Sequence, residues 1–196
     1  MPGRSRAMTL VSRIAIPSVA VVVICGAAIS WHFAKAKATT RKPVEEANSC
    51  RTRAEQGDAK AQSQLAGFYY QGRGVPQSYH DAVGWYRKAA EQGNAKGEYG
   101  LGYLYYWGLG VQQDYAQAVN WYRKAAEDGN AKVQYNLAFM YHEGKGLPQD
   151  RVEALNWCRK AADQGNARAD YALGSTYFEG KDVPHDYGES VRWSVR

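Results

Sequence analysis

Few side chains in this 196-residue sequence have the type and spacing that metal binding requires. The chain has four histidines, which lie far apart: His32, His80, His142 and His185. His142-Glu143 is followed by Gly144, so the H-E-x-x-H pair of a helical zinc site is absent. The sequence therefore predicts no metal site.

Nucleophiles are equally poor candidates for catalysis. No serine begins an S-x-x-K motif, and no cysteine or serine stands in a recognisable nucleophile–base arrangement. The adjacent acids Glu45 and Glu46 are expected to be solvated rather than paired for acid–base chemistry. We expect a protein that is not an enzyme and uses no cofactor.

Paired glycines could be taken for phosphate-binding loops. The pairs are Gly72 with Gly74, Gly108 with Gly110, and Gly144 with Gly146. They follow helical rather than strand patterns, and they lack both a third glycine and a G-K-[ST] ending. The pairs are predicted to be turns.

These turns recur because the chain repeats itself. The stretch from Gly93 to Asp128 returns with a period of 36 residues, with other copies beginning at Gly57, Gly129 and Gly165. Tandem repetition at this period is typical of solenoids, in which each unit buries its apolar face by stacking on its neighbours.

Each unit carries the signals of two helices. Asp or Asn caps the first helix directly after a glycine, at Asp58, Asn94, Asn130 and Asn166. A second cap, with an acid or amide three residues later as in a capping box, follows at Ser78, Asp114, Asp150 and Asp186. Apolar residues between the caps recur at helical spacing. The predicted fold is all-α, an α/α solenoid of helix-turn-helix repeats.

The repeat resembles that of the Sel-one-like repeat family, a relative of the tetratricopeptide repeat. The resemblance is carried by G-[DN]-A-x-A, L-[AG]-x-x-Y, G-x-G-[VL]-P-Q-D and A-x-x-W-Y-R-K-A-A-E, over about residues 44–196. It implies an adaptor that binds another protein. Cysteine-rich secreted members of the wider family have a cysteine pair in each repeat. This chain lacks those pairs, so the penicillin-related activity attributed to some of them is not expected.

The repeat pattern divides the second part of the chain. The predicted segments are a capping half-repeat over 44–56, complete repeats over 57–92, 93–128 and 129–164, and an incomplete repeat over 165–196. Cys50 and Cys158 occupy the same repeat position three units apart, so they are expected to be free thiols. Trp193 is expected to be exposed on the last helix, as a contact for a partner or for self-association, or as part of a frayed end.

The amino terminus carries a membrane-targeting signal. The predicted segments are a basic region over 1–13, a transmembrane signal anchor or signal-peptide core over 14–33, and a linker over 34–43. Ile14 to Trp31 is uncharged, close to the minimum for a membrane span and long for a signal peptide. A-x-A sites between Ala34 and Ala38 leave cleavage open. A lipoprotein anchored at Cys25 is a third possibility, although Ile24 is bulky for that signal.

The net charge of +6 comes from this terminus. Residues 1–42 contain seven basic residues and no acidic one, which leaves 18 basic against 19 acidic residues for the remainder. A nearly neutral repeat region without a basic stripe argues against nucleic-acid binding.

Basic residues flank the span almost evenly, so the positive-inside rule barely decides its orientation. The expected location is the inner membrane of a bacterium with the repeats in the periplasm, or secretion to the periplasm after cleavage.

One aromatic stripe on the first helices is the predicted partner-binding site. Its members are Tyr70, Tyr99, Tyr103, Tyr106, Trp107, Tyr135, Phe139 and His142. Clustered aromatic residues on a concave face would suit a peptide or an exposed helix. The alternative is that these side chains only pack repeat against repeat.

The predicted function is a membrane-tethered, non-catalytic adaptor. The alternatives are a cell-envelope enzyme of the penicillin-binding or β-lactam-hydrolysing kind and a self-associating structural component of an envelope complex.

Overall fold

The computed structural model describes residues 41–180 and 183–195. The chain divides into two units, Met1–Arg41 and Lys42–Arg196, and the second contains nearly all the described residues. The predicted basic region, the anchor over 14–33 and residues 34–40 of the linker lie outside the described residues. Within the described ranges, no helix is long and apolar enough to cross a membrane.

The described residues form nine helices and no strand. They are α1 (41–55), α2 (Ala59–Gln71), α3 (Tyr79–Glu91), α4 (Ala95–Trp107), α5 (Tyr115–Glu127), α6 (Ala131–Glu143), α7 (Arg151–Asp163), α8 (Ala167–Glu179) and α9 (Tyr187–Ser194). From α2 onwards each helix packs on the next along the chain, and α2 also contacts α4. Helix α1 packs on α2 through a cluster of Cys50, Ala54, Ala61 and Leu65. The predicted all-α solenoid is therefore confirmed. Residues 41–43, which are predicted to belong to the linker, are helical.

The caps explain where the first helices begin and end. The side chain of Asn94 accepts the backbone N–H of Gly97 at the start of α4, at 3.0 Å. Gly108 ends the same helix at φ 65°, a left-handed conformation that favours glycine. Equivalent caps begin α2, α6 and α8 at Asp58, Asn130 and Asn166.

Only half of each predicted capping box forms at the second helices. Asp114 accepts the N–H of Gln117 at 3.0 Å, as the motif requires. The N–H of Asp114, however, donates to the carbonyl of Tyr105 in the preceding helix at 3.0 Å. The same backbone bond forms at the three other second-helix caps. This donor is therefore already satisfied, and the cap ties the second helix to the first.

The core is a linear series of fully buried leucines. Leu65, Leu101, Leu137 and Leu173 occupy one position of the four repeats and have no exposed surface. Each such burial contributes roughly 1.5–3 kcal/mol relative to an exposed side chain. Alanines of the second helices, such as Ala89 and Ala125, bring the helices close beside them.

An arginine–tyrosine hydrogen bond links each second helix to the next first helix. The guanidinium of Arg87 donates to the hydroxyl of Tyr105 at 2.7 Å, and Arg123 donates to Tyr141 at 3.0 Å. Arg51 with Tyr69 and Arg159 with Tyr177 repeat the pair eighteen residues apart. These bonds join neighbouring repeats.

Trp193 corrects one expectation. Its side chain is 5% exposed and belongs to the core cluster that contains Leu173. The indole N–H donates to Glu189 at 2.9 Å. Trp193 occupies the repeat position of Trp157, which is also buried, so it packs inward even on the last helix. The exposed apolar side chains of α9 are instead Tyr187 and Val191, followed by Val195 at its C-cap.

Candidate functional site

Successive first helices are separated by a gap whose floor comes from the second helix between them. One repeat position supplies the floor residue, which is Tyr86, Tyr122 or Cys158. Tyrosine fills more of the gap than cysteine does. The depth of each gap therefore depends on which residue type stands at the floor position and on the side chains that line the walls.

The gap between α4 and α6 is a cavity of about 410 Å³ above Tyr122. Its lining combines aromatic, amide and cationic groups: Tyr99, Tyr103, Tyr106, Trp107, Tyr122, Lys132, Tyr135, Asn136, Phe139 and Arg168. A volume of this order suits several side chains of a bound segment.

The gap between α6 and α8 is a second cavity, of about 450 Å³, above Cys158. Leu155, Ala172 and Tyr171 line it together with Tyr135 and Phe139, which also line the first cavity. Because the two cavities share these walls, they form one surface across α4, α6 and α8. We call this surface the groove.

Tyr103 is the centre of the aromatic contacts in the groove. Its ring centroid lies 6.0 Å from that of Tyr70, 6.3 Å from Tyr99 and 6.2 Å from Trp107. Trp107 is nevertheless 56% exposed and Phe139 39% exposed. The cluster therefore holds its members in fixed positions while leaving large apolar surface in contact with solvent.

The structure brings the predicted partner-binding residues together. Six line the first cavity: Tyr99, Tyr103, Tyr106, Trp107, Tyr135 and Phe139. His142 lines the second cavity, and Tyr70 packs edge-on against Tyr103. Their role in binding stays a prediction. The alternative, packing of repeat on repeat, describes Tyr70 better than Trp107.

Three cations stand beside the aromatic side chains. Lys132 lies over the ring of Tyr99 at 5.2 Å, and Arg168 lines the same cavity. Lys145 lies over the ring of Phe139 at 5.0 Å and reaches the hydroxyl of Tyr106 at 3.4 Å. These contacts are typical of cation–π geometry. No carboxylate lines the first cavity among the described residues.

Burial favours the neutral forms of three side chains in or beside the groove. Burial, together with the neighbouring hydroxyl of Tyr103, raises the pKa of Tyr70 to about 12. Burial also raises the pKa of Tyr122, and it raises the pKa of the Cys158 thiol to about 11, with Asp170 as the second cause. At neutral pH the hydroxyls are hydrogen-bonding groups, and the thiol of Cys158 is a poor nucleophile.

Sequence reasoning missed the floor and the cations of the groove. Aligning the copies would have shown that Lys60, Lys96, Lys132 and Arg168 share one repeat position. The repeat register does place Cys158 where other copies have a tyrosine, but it does not show that this position forms a floor. Both cysteines are free and buried, as expected. Within the described ranges, no three histidine, cysteine, aspartate or glutamate side chains are grouped to hold a metal ion.

The repeats match a known family model. The Sel1 repeat model matches residues 59–94, 95–130, 131–166 and 167–194. These ranges begin at the first residues of α2, α4, α6 and α8. The comparison with curated proteins gives no significant match.

Two solved structures are similar in both sequence and fold. One is a protective antigen of uropathogenic Escherichia coli strains that displays an SLR fold, with 45% identity and a TM-score of 0.72 over 75% of this chain. The other is a Sel1 repeat protein from Oxalobacter formigenes, with 32% identity and a TM-score of 0.72 over 77% of this chain. The matches cover only 32% and 62% of those two chains.

A third structure is similar in fold alone. It is the cysteine-rich protein B of Helicobacter pylori, which has 21% identity and a TM-score of 0.50. The match covers 68% of this chain and 93% of that chain.

Proposed function

The chain belongs to the Sel1 repeat family, and we propose that it is a membrane-tethered adaptor that holds a segment of another protein in the groove without catalysis. Sel1 repeat proteins are typically scaffolds for protein–protein interaction. The observation that carries the proposal is the exposed aromatic surface of Trp107 and Phe139 on the walls of the groove.

The groove suits a protein segment for physical reasons. Tyrosine and tryptophan contribute large contact areas at a low cost in conformational entropy, and they are frequent among the residues that dominate interface energies. The contacts around Tyr103 already restrain these rings, so binding would order few further rotamers. A peptide or an exposed helix could place its apolar side chains between α4, α6 and α8.

The location is part of the proposal. The uncharged stretch from Ile14 to Trp31 supports a signal anchor over 14–33 in the inner membrane of a bacterium. The repeats would then lie in the periplasm, and a cleaved signal would release them there. Protease accessibility of the repeats in intact and permeabilised cells tests this location. Digestion that requires permeabilisation of the inner membrane would contradict it.

A crosslinking pull-down tests the groove. The full-length protein and a Tyr103→Ala plus Phe139→Ala variant are crosslinked in cells, and the captured partners are quantified by mass spectrometry. The matched control is Phe178→Ala plus Tyr187→Ala, an exposed aromatic pair outside the groove whose centroids are 6.0 Å apart. We expect the groove variant to lose about 90% or more of its partner, since two anchor residues of an interface typically contribute more than 1.4 kcal/mol together. An unchanged partner list for the groove variant would contradict the proposal.

A further inference from the structure

We infer that the segment held in the groove is acidic, with carboxylates that pair with Lys132, Lys145 and Arg168 beside apolar or aromatic anchors. This inference rests on the proposed function and adds the chemical class of the partner. It follows from the charges around the first cavity, which the aromatic stripe alone does not reveal.

The first cavity has a local charge unlike that of the rest of the repeats. Its charged lining residues are Lys132 and Arg168, both cations. Lys145 adds a third positive charge over the ring of Phe139. Residues 43–196 contain 18 basic and 19 acidic residues, so this cluster is not an extension of a generally basic surface. Opposite charge on a partner would speed association and fix its register.

The same repeat position differs in its surroundings along the solenoid. Lys132 and Arg168 are the second residues of α6 and α8, as Lys96 is of α4. Lys96 lines a hollow that contains two carboxylates, Glu45 and Glu46, together with the cations Arg53 and Arg73. Lys132 and Arg168 line a cavity without a carboxylate among its described residues. The two places therefore differ in whether carboxylates of this chain stand beside the cations.

Helix stability does not account for these cations. A positive charge in the first turn opposes the helix macrodipole, whose positive end is at the amino terminus. The position is exposed in every repeat, so it does not serve core packing either. Binding a negative group is the role that the groove geometry gives to the cations of α6 and α8.

A protein segment fits this surface better than a nucleic acid does. Aromatic rings and cations also occur in single-strand binding grooves, but those grooves track the phosphate backbone with a positive stripe. Here Lys132 lies over Tyr99 and Lys145 over Phe139, and the acids elsewhere in residues 43–196 offset the remaining basic residues. A few carboxylates of one protein segment match this limited charge.

Peptide selection tests the inference because it lets the groove choose its own ligand from many sequences. A random dodecapeptide library displayed on phage is selected against the full-length protein in detergent. The selected sequences are then measured as synthetic peptides by fluorescence anisotropy. The test variant is Lys132→Glu plus Arg168→Glu, and the matched control is Lys60→Glu plus Lys96→Glu, which reverses the same repeat position in the first two repeats. Circular dichroism checks that each variant folds.

We expect Asp and Glu to be enriched beside aromatic or aliphatic residues in the selected peptides. Their Kd should be unchanged in the control and about tenfold higher in the test variant, with an affinity that falls as salt is added. The inference is overturned if no peptide is selected, if the selected peptides are not acidic, or if the test variant binds them as the wild type does.

A second measurement separates this inference from the proposed function. If non-acidic peptides are selected and Tyr103→Ala plus Phe139→Ala abolishes their binding, the groove still binds protein and only the acidic class is wrong. If instead no peptide is selected, while oligothymidine binds the wild type and not the test variant, the groove is a nucleic-acid site and both proposals fail.

Discussion

Helices α3 and α4 pack with backbone against backbone, and we call their contact the close junction. Helices α5 and α6 pack through side chains at the equivalent place, and we call their contact the side-chain junction. At the first, a Cβ added to Gly97 would lie 2.7 Å from the backbone nitrogen of Ala90 and 2.7 Å from the Cβ of Ala89. At the second, the same repeat position is Val133, which is fully buried. Helices α5 and α6 therefore leave room for a side chain that α3 and α4 exclude.

The two junctions also differ beside the gaps between the first helices. A Cβ at Gly100 would lie 2.6 Å from the ring of Tyr86, so glycine lets this ring lie against α4. The equivalent residue of α6 is Asn136, and the cavity of about 410 Å³ lies between α4 and α6. Glycines in a helix cost roughly 0.5–1 kcal/mol each relative to alanine. At the close junction, the glycines lower the helix propensity of α4 and allow closer packing. The side-chain junction instead lies beside the space that forms the groove.

The largest expected effect comes from adding one methyl group to the close junction. Gly97→Ala should destabilise the protein by about 1–3 kcal/mol, because the new Cβ meets backbone that cannot move aside. Urea unfolding followed by circular dichroism measures the change in the full-length protein.

The matched control for this substitution is Gly84→Ala. Gly84 is a helical glycine of α3 with nothing within 4 Å of an added Cβ. This control should stabilise the protein by about 0.4–1 kcal/mol. A neutral Gly97→Ala would mean that α3 and α4 are not as close as the structure has them.

A buried carboxylate also distinguishes the two junctions. The amide of Gln134 donates to the carbonyl of Ala126 at 3.1 Å, and Gln62 makes the equivalent bond to Ala54. Glu98 stands at this position between them, and its buried Oε2 has no hydrogen-bond partner. A protonated Glu98 could donate as the glutamines do, whereas an ionised one could not.

The surroundings of Glu98 also favour its protonated form. Burial is the main cause of the raised pKa of Glu98, and Asp128 is the second. Glu127 raises the pKa further, while Lys124 lowers it. Because the folded state binds the proton more tightly than the unfolded chain, Glu98 favours folding at low pH. That contribution is lost as the pH rises through the raised pKa.

Glu98→Gln should therefore stabilise the protein by about 1–2 kcal/mol at pH 7, because it restores a donor to an otherwise unsatisfied site. At about pH 4, where the wild-type carboxyl is largely protonated, the two proteins should differ little. Urea unfolding at both values of pH measures the difference.

The converse substitution is the control for this prediction. Gln134→Glu should destabilise the protein at pH 7, because it removes the donor to Ala126. Equal effects of Glu98→Gln at both values of pH would show that ionisation of Glu98 does not weaken its junction.

Much of the architecture could be predicted because it depends on local signals that repeat. The caps at Asn94 and Asp114 and the left-handed Gly108 follow from residue type and spacing alone. Repetition then gives the order of the helices. The aromatic members of the groove were also found this way, since helical spacing places Tyr99, Tyr103 and Tyr106 near one face.

The rest depends on contacts between helices that no single helix reveals. The sequence predicts an exposed Trp193 on α9, yet its ring turns inward over the preceding helix. The capping box lost its second half because the Tyr105 carbonyl takes the N–H of Asp114. The closeness of Gly97 to Ala90 is likewise a property of two helices. Repeat register aligns the floor residues with one another, but it shows neither that they form a floor nor how deep the cavities are.

The smallest expected effect concerns a bond that both junctions share. Arg87 donates to Tyr105 across the close junction, and Arg123 donates to Tyr141 across the side-chain junction. Tyr105→Phe and Tyr141→Phe should each cost about 0.5 kcal/mol, since both arginines are exposed and water replaces part of the bond. A double-mutant cycle with Arg87→Met isolates the pair at the close junction. Equal costs would mean that packing around Gly97 and Gly100, and not this hydrogen bond, accounts for a difference in stability between the junctions. A cost at Tyr105 more than about 1 kcal/mol above that at Tyr141 would assign part of it to the hydrogen bond instead.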